Sequence, residues 1–223
     1  MKEFVFISDF DGTLTDRDFY KMVMDRFPEN KGREVISSWK NGEIGVFEFL
    51  DIVFSTINRS VEEIDNLVLE IPFDKNAKGF IDSIKKAGGD FMILSAGTGY
   101  YIEKIFKHYG IDGIQVISNK GEYREGAIHM TADTNSPYYS ESYGIDKSLA
   151  VEYYKKQYKK VYYAGDSEPD LKAALKADTV FARNGLQKML SSREHPYIAV
   201  DNFDQIGNYL NEMGVIQYES KLA

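Results

Sequence analysis

The feature that most constrains this chain is a pair of carboxylates placed directly behind a short apolar run near its start. Residues 4–7 read Phe-Val-Phe-Ile, and Asp9 and Asp11 follow within the next four positions. A strand that is apolar without alternation is buried on both faces, as in a parallel α/β sheet. Because ligands bind beyond the carboxyl ends of such strands, both acids are predicted to lie at a ligand site. Desolvated carboxylates this close together repel each other, so the pair also predicts a bound metal ion.

Composition limits the classes of partner. The 223 residues suffice for one domain, or for a domain with an insertion. A net charge of −8 disfavours nucleic acid or an anionic membrane as a partner, but it permits an anionic small substrate beside a bound cation. The absence of cysteine excludes disulfides and thiolate chemistry and suits a cytoplasmic protein. No segment approaches the roughly 18 apolar residues of a membrane span.

Apolar runs separated by amphipathic segments predict an α/β fold. The runs lie at 4–7, 91–94, 161–164 and 179–182, with additional strands plausible at 114–117 and 198–200. Helical stripes between them, such as Phe80, Ile81 and Ile84, complete the alternation that is typical of an open parallel sheet flanked by helices. Residues 123–130, with Gly126 inside, have the pattern of a hairpin.

The alternation stops after the first strand and resumes near residue 72. The stretch between has amphipathic segments but no convincing strand. We therefore predict a core domain made of 1–14 and 72–223, with a helical domain of 15–71 inserted after the first strand.

Four polar elements fall in order at the predicted strand ends or helix starts. They are Asp9-Phe10-Asp11-Gly12-Thr13, Ser95 with Ala96 and Gly97, Lys147 before a helix, and Gly165 to Asp170. Phosphoryl transfer needs these residue types, because a carboxylate can attack phosphorus, a lysine and a cation can hold its oxygens, and a second acid can protonate the leaving oxygen. Hydroxyl and backbone N–H groups of a glycine-bearing turn at a helix start complete a phosphate cradle.

Together these elements resemble the signature motifs of the haloacid dehalogenase (HAD) superfamily of phosphatases, and the resemblance covers most of the chain. It implies a Rossmann-like parallel sheet with the inserted helical domain as a cap. It also implies a phosphoric monoester hydrolase that acts on a small-molecule phosphomonoester with Mg²⁺ as cofactor. Magnesium suits the site on physical grounds too, since hard oxygens, water and phosphate are its usual ligands.

The resemblance further implies a role for each motif residue. Asp9 would be the nucleophile that forms an aspartyl-phosphate, and Asp11 would be the general acid that later activates water. The phosphoryl group would be bound by Thr13, Ser95, Ala96, Gly97 and Lys147. Mg²⁺ would be held by Asp9, the backbone carbonyl of Asp11 and Asp166, with Asp170 in or near its coordination shell.

Each of these residues also has a simpler interpretation. Ser95 alone is typical of a loop hydroxyl and Lys147 of a solvated surface charge, while Asp166 and Asp170 could cap a helix. Their order along the chain behind Asp9 favours the catalytic interpretation.

The helical insertion resembles the cap of the phosphoserine phosphatase branch, in which an arginine binds the substrate carboxylate. Asp51 stands at the matching position, and an acid there would repel a carboxylate. Arg26, Arg33 or Arg59 would have to substitute for the arginine. The sequence therefore favours a small phosphomonoester without an essential carboxylate.

The polar segment 119–146 is similar to that of the 2-hydroxy-3-keto-5-methylthiopentenyl-1-phosphate phosphatases of methionine salvage. That family's segment is cysteine-rich, whereas this one has Tyr138, Tyr139 and Tyr143 and no cysteine. Phosphoserine and phosphoethanolamine or phosphocholine phosphatases stay open as alternatives. So do a mutase of the same superfamily and a phosphate-binding protein without turnover. The intact pair Asp9 and Asp11 disfavours the binding protein, because binding alone does not need the second acid. Nothing in the sequence indicates the oligomeric state.

Overall fold

The fold is built on a seven-stranded sheet. A computed structural model describes residues 2–220. Within that range the strands are β1 (Lys2–Ser8), β2 (Asp90–Thr98), β3 (Gln115–Arg124), β4 (Ala127–Thr131), β5 (Tyr139–Ser140), β6 (Gly144–Ile145), β7 (Tyr158–Gly165), β8 (Thr179–Ala182) and β9 (Ile198–Ala199). The main sheet has the order β4-β3-β2-β1-β7-β8-β9, and β5 pairs with β6 in a separate hairpin. Neighbours in the main sheet are parallel except β3 and β4.

Helices cover the sheet and fill the gap after β1. In the same described range they are α1 (Phe19–Arg26), α2 (Gly32–Lys40), α3 (Val46–Ser55), α4 (Val61–Leu69), α5 (Ala77–Lys86), α6 (Gly99–His108), α7 (Lys147–Lys155), α8 (Leu171–Ala174), α9 (Asn184–Ser191) and α10 (Phe203–Glu212). This arrangement confirms the predicted α/β class, a parallel sheet flanked by helices. None of these helices combines the length and apolar content needed to span a membrane.

Helices α1–α4 form one helical segment, in the stretch for which the sequence predicts an inserted domain. The chain enters and leaves this segment through two adjacent connections. Thr15 pairs with Phe73 in an isolated antiparallel bridge, and Asp16 N donates to Pro72 O at 2.9 Å. The domain boundaries themselves stay a prediction, and residues 221–223 of the predicted core domain lie outside the described residues.

β1 lies in the middle of the sheet because it supplies apolar side chains to both faces. Phe4 and Phe6 pack in one hydrophobic core, and Val5 and Ile7 pack in the other. The apolar run without alternation is therefore a strand that is covered on both sides, as the sequence predicted.

The six predicted strands coincide with observed ones to within one residue at their predicted starts and ends, or lie inside longer ones. The hairpin predicted at 123–130 is also confirmed, since β3 and β4 pair with Glu125 and Gly126 between them. One boundary is wrong. The sequence placed Ser95 after its strand, whereas β2 continues to Thr98, with its pairing to β3 interrupted between Leu94 and Thr98.

Replacing Phe6 by alanine should lower the free energy of unfolding by about 3–5 kcal/mol, because the ring is completely buried. Its centroid lies 4.8, 5.7 and 5.8 Å from those of Phe80, Phe91 and Phe181. Urea denaturation measures the change. Met213→Ala is the control, since Met213 is 63% exposed and its truncation should cost less than about 0.5 kcal/mol. Equal losses in the two variants would contradict the central position of β1.

Candidate active site

The predicted site residues meet at the carboxyl ends of β1, β2 and β7, where a cavity of about 640 Å³ separates them from the helical segment. The cavity is lined by Asp9, Asp11, Ser95, Ala96, Gly97, Lys147 and Asp166. Two other predicted residues, Thr13 and Asp170, are fully buried and do not line it. Thr13 Oγ1 has no hydrogen-bond partner there.

A buried network of ion pairs joins Lys147 to two carboxylates. Lys147 is the first residue of α7, and its Nζ lies 2.7 Å from Asp9 Oδ1 and 2.7 Å from Asp170 Oδ1. The helix start is fixed by Asp146, whose side chain accepts from Ser148 N at 2.8 Å. Because a buried charge is costly without a partner, the two acids hold the ammonium group beside Asp9.

The pKa values of the two acids that share this lysine are shifted in opposite directions. Burial acts to lower the pKa of Lys147, but the two carboxylates outweigh it and hold that pKa above its ordinary value. Burial would raise the pKa of Asp170, yet the lysine holds it below its ordinary value. For Asp9, burial and the charge of Asp170 outweigh the lysine and raise the pKa well above the ordinary value.

Both carboxylate oxygens of Asp170 accept hydrogen bonds from protein groups. Its Oδ1 accepts from Lys147 and from the hydroxyl of Tyr163, both at 2.7 Å. Its Oδ2 accepts from the backbone N of Asp166 at 2.9 Å and of Ser167 at 3.1 Å. These contacts fix the lysine and the loop after β7.

Asp166 carries an unsatisfied carboxylate oxygen. Its Oδ1 is buried and has no hydrogen-bond partner. The carboxylate lies so close to Gly12 that a Cβ at that position would come within 2.4 Å of Oδ2, which explains the glycine, as does its φ of +76°. Burial first, then the charges of Asp170 and Asp18, raise the pKa of Asp166 to about 7.

Three carboxylates are arranged so that they could share a metal ion. One oxygen from each of Asp9, Asp166 and Asp170 lies within 4.8 Å of the others. A divalent cation would satisfy the orphaned oxygen of Asp166 and favour the ionised form of Asp9. Since carboxylate oxygens are hard ligands, the residues present fit the metal that the sequence predicts at this strand end.

Asp11 is held by two donors from different helices. Its Oδ1 accepts from the backbone N of Phe19 at 2.9 Å, at the start of α1. Its Oδ2 accepts from the hydroxyl of Tyr101 on α6 at 2.5 Å. Burial and the nearby charge of Asp18 raise the pKa of Asp11 to about 6. A carboxyl group with that pKa can carry a proton near neutral pH and also release it, as a general acid must.

Side-chain hydrogen bonds hold the end of β2. Ser95 Oγ accepts from Gly97 N at 3.0 Å, and Ala96 O accepts from Asn119 Nδ2 at 2.8 Å. Asn119 also donates to Tyr143 O at 3.1 Å, which ties this segment to the β5–β6 hairpin. Sequence reasoning missed Asn119, because nothing in its local sequence sets it apart from other polar residues of β3.

The helical segment contributes an aromatic wall whose individual residues the sequence did not single out. Trp39 of α2 stacks on Phe49 of α3 with centroids 4.3 Å apart, and Tyr20 of α1 meets both rings edge-on. Tyr143 of the hairpin also lines the cavity, and its hydroxyl donates to Glu168 at 2.8 Å. These side chains come from separate elements, so no local motif could have identified them.

Asp51 does not line the cavity, contrary to the expectation from the sequence. Its carboxylate accepts from Met130 N at 3.0 Å, because α3 packs on the edge strand β4 and that N–H needs an acceptor. Arg26, Arg33 and Arg59 are also engaged, each with an acid or a carbonyl group of the helical segment. Among the residues that the structure describes, no arginine lines the cavity.

Comparison with known proteins agrees with this geometry. A family model described as haloacid dehalogenase-like hydrolase matches residues 6–175. A 2-hydroxy-3-keto-5-methylthiopentenyl-1-phosphate phosphatase from a strain of Bacillus cereus is 24% identical, over 92% of this chain and 94% of its own length. Pdp3-interacting factor 1 from Schizosaccharomyces pombe is also 24% identical, over 98% of both chains.

Solved structures share the fold. A phosphoserine phosphatase with bound substrate superposes with a TM-score of 0.66 at 15% identity, over 94% of this chain and 99% of that one. The same coverage holds for a phosphoserine phosphatase in its apo form, with a TM-score of 0.68 at 16% identity. At this level of identity the likeness concerns the fold alone.

In protein stripped of divalent metal, the wild type should lose stability relative to Asp166→Asn as pH rises from about 4 to about 7. The ordinary pKa of Asp166 is 3.8 and the folded protein raises it to about 7. Over that window the folded state therefore retains a proton that the unfolded chain has released, and the free energy of unfolding falls. Urea denaturation of both proteins across the pH series measures the difference.

Added Mg²⁺ should stabilise the wild type at pH 7 more than it stabilises Asp166→Asn. Asp112→Asn, a change at an exposed position, is the control and should follow the wild type throughout. A difference in unfolding free energy between wild type and Asp166→Asn that stays constant over the pH window would contradict a raised pKa of Asp166.

Proposed function

The chain belongs to the haloacid dehalogenase-like hydrolase family, and from that premise we propose that it is a phosphatase that hydrolyses a small-molecule phosphomonoester through an aspartyl-phosphate. The observation that carries the proposal is that only one of the two carboxylate oxygens of Asp9 is held by neighbouring groups. Its Oδ1 is held by Lys147 and by Phe10 N, each at 2.7 Å. Its Oδ2 accepts no hydrogen bond from the described residues, which leaves that oxygen free to attack phosphorus.

The proposed reaction has two steps. First, Asp9 Oδ2 forms a bond to phosphorus while the bond to the leaving oxygen breaks, and Asp11 gives that oxygen its proton. The ionised Asp11 then takes a proton from water, whose oxygen attacks phosphorus and displaces the Asp9 carboxylate. The phosphoryl oxygens would be bound by Ser95, Ala96, Gly97 and Lys147, which line the cavity, whereas Thr13 does not line it.

We further propose Mg²⁺ as the cofactor, held by Asp9, the backbone carbonyl of Asp11 and Asp166. Bound there, the ion would neutralise charge on the phosphoryl oxygens. Asp170 would orient Lys147 and the loop after β7 through its four hydrogen bonds. Residues 15–71 would act as the cap that covers the bound ester. We also propose that the protein acts in the cytoplasm.

The cavity favours a leaving group with an apolar body. Trp39, Phe49 and Tyr20 offer it aromatic surface. Lys21 and Lys40 line the cavity as well, but no arginine among the described residues does. The phosphate ester of a methylthio-substituted chain, which the Bacillus cereus relative is named for, has this character. We therefore propose a phosphatase of the methionine-salvage type.

A second candidate is a phosphatase for phosphoethanolamine or phosphocholine. Asp18, Glu43 and Glu168 line the same cavity as the aromatic side chains, and acids with aromatic faces suit a cationic head group. Phosphoserine fits less well, because no arginine among the described residues lines the cavity and Lys21, which does line it, is paired with Asp18.

Asp9→Asn should reduce phosphate release to below about 1% of the wild-type rate, because an amide oxygen is a poor nucleophile for phosphorus. The measurement is release of inorganic phosphate from a panel of phosphomonoesters, including p-nitrophenyl phosphate, with Mg²⁺ and with a chelator. Asp112→Asn is the matched control and should keep full activity. Absence of turnover by the wild type on every ester with Mg²⁺ would support a phosphate-binding protein instead. Phosphate transferred to a second substrate rather than released would support a mutase.

Trp39→Ala should raise KM about tenfold for an ester with an apolar aliphatic chain, as expected when the burial of about two methylene groups, roughly 1.4 kcal/mol, is lost. Acetyl phosphate, which is too small to reach the aromatic wall, should be hydrolysed with unchanged KM. Tyr153→Ala removes a half-exposed aromatic side chain outside the cavity and serves as the control. A preference of the wild type for phosphocholine over aliphatic esters would favour the second candidate.

A further inference from the structure

Tyr101 is a buried tyrosine whose hydroxyl reaches into the site. Its side chain is 1% exposed, yet it lines the cavity beside Asp11. We propose that Tyr101 is a positioning residue, whose hydroxyl fixes the Asp11 carboxyl group in the orientation that delivers a proton to the leaving oxygen. This inference rests on the proposed function, because it assumes that Asp11 is the general acid.

The two oxygens of Asp11 are held by donors from two sides. Tyr101 donates to Oδ2 at 2.5 Å, and the backbone N of Phe19 donates to Oδ1 at 2.9 Å. Two donors on different helices fix both the plane and the rotation of a carboxyl group. The proton that Asp11 carries is therefore confined to the lone pairs that these donors do not use.

The hydroxyl of Tyr101 is itself held in one place. Its ring packs against Phe10, Phe19 and Phe54, with centroids 5.8, 4.9 and 6.1 Å away. Burial and the charge of Asp11 raise its pKa well above the ordinary value, so the hydroxyl stays protonated and acts as a donor.

Gly97 provides the space that this hydroxyl occupies. A Cβ at position 97 would lie 1.9 Å from the Tyr101 hydroxyl oxygen and 3.2 Å from Asp11 Oδ2. Any larger residue would therefore displace the contact. The close approach of the β2 backbone is a second observation, independent of the hydrogen bond. It shows that only a glycine at position 97 leaves room for the Tyr101 hydroxyl beside Asp11 Oδ2.

The test uses the dependence of kcat/KM on the leaving group. An alkyl alcohol leaves poorly without a proton, whereas p-nitrophenolate leaves with little need of one. Tyr101→Phe should lower kcat/KM about 10- to 100-fold for alkyl phosphates and less than about threefold for p-nitrophenyl phosphate. Asp11→Asn should show the same selectivity with larger losses. The wild-type fold of each variant is checked by thermal unfolding.

The chain offers a matched control at the neighbouring position. Tyr100 lies on the same helix, but its hydroxyl donates to Asp65 at 2.7 Å, and it does not line the cavity. Tyr100→Phe should therefore keep the wild-type kcat/KM for every ester. Incorporation of 3-fluorotyrosine at position 101 keeps the donor and should keep the wild-type leaving-group dependence, which gives a readout even if Tyr101→Phe does not fold.

The outcomes separate the inference from the function on which it rests. The positioning role is overturned if Tyr101→Phe lowers kcat/KM equally for alkyl and p-nitrophenyl esters. It is also overturned if 3-fluorotyrosine at position 101 lowers kcat/KM selectively for alkyl esters. If the wild type hydrolyses no ester, the proposed function fails. If Asp11→Asn shows no leaving-group dependence, the general-acid assignment fails, and the inference fails with it.

Discussion

The site depends on the buried contact of one ammonium group with two carboxylates. Lys147 Nζ lies 2.7 Å from both Asp9 and Asp170. Removal of the ammonium group, or of both carboxylates, would leave uncompensated charge in the interior. Asp170 extends the constraint to the backbone of Asp166 and Ser167. One lysine therefore sets the relative positions of the end of β1, the start of α7 and the loop after β7.

The network leaves Asp9 and Asp166 without full charge compensation, which the proposed metal ion would supply. Burial raises the pKa of Asp9 and of Asp166, and Asp166 Oδ1 has no partner. A fold selected for stability alone would not retain these features, because each lowers the free energy of unfolding. A site that must receive a cation and a phosphoryl group needs such unsatisfied groups. The surrounding cores support them, since β1 packs against apolar side chains on both faces.

Most of the sheet could be predicted because a strand covered on both faces is apolar throughout, and such a run is visible in the sequence. The candidate site could be predicted in outline for a related reason. Polar residues placed just after such strands must converge at one edge of the sheet. The interpretation of Asp51 shows the limit of this reasoning. An alignment of positions says nothing about which face of α3 a residue occupies, and the side chain serves the edge of β4 instead.

The sequence by itself determined the fold class and predicted which residues meet at the candidate site, since Asp9, Asp11, Lys147 and Asp166 each follow a local signal of strand end or helix start. Only the tertiary structure decided how these groups are held and what can enter. The donor to Asp11 from Tyr101 and the stacking of Trp39 on Phe49 join residues far apart in the chain. Such contacts arise from packing between elements, and packing leaves no periodicity or motif in the sequence to be recognised.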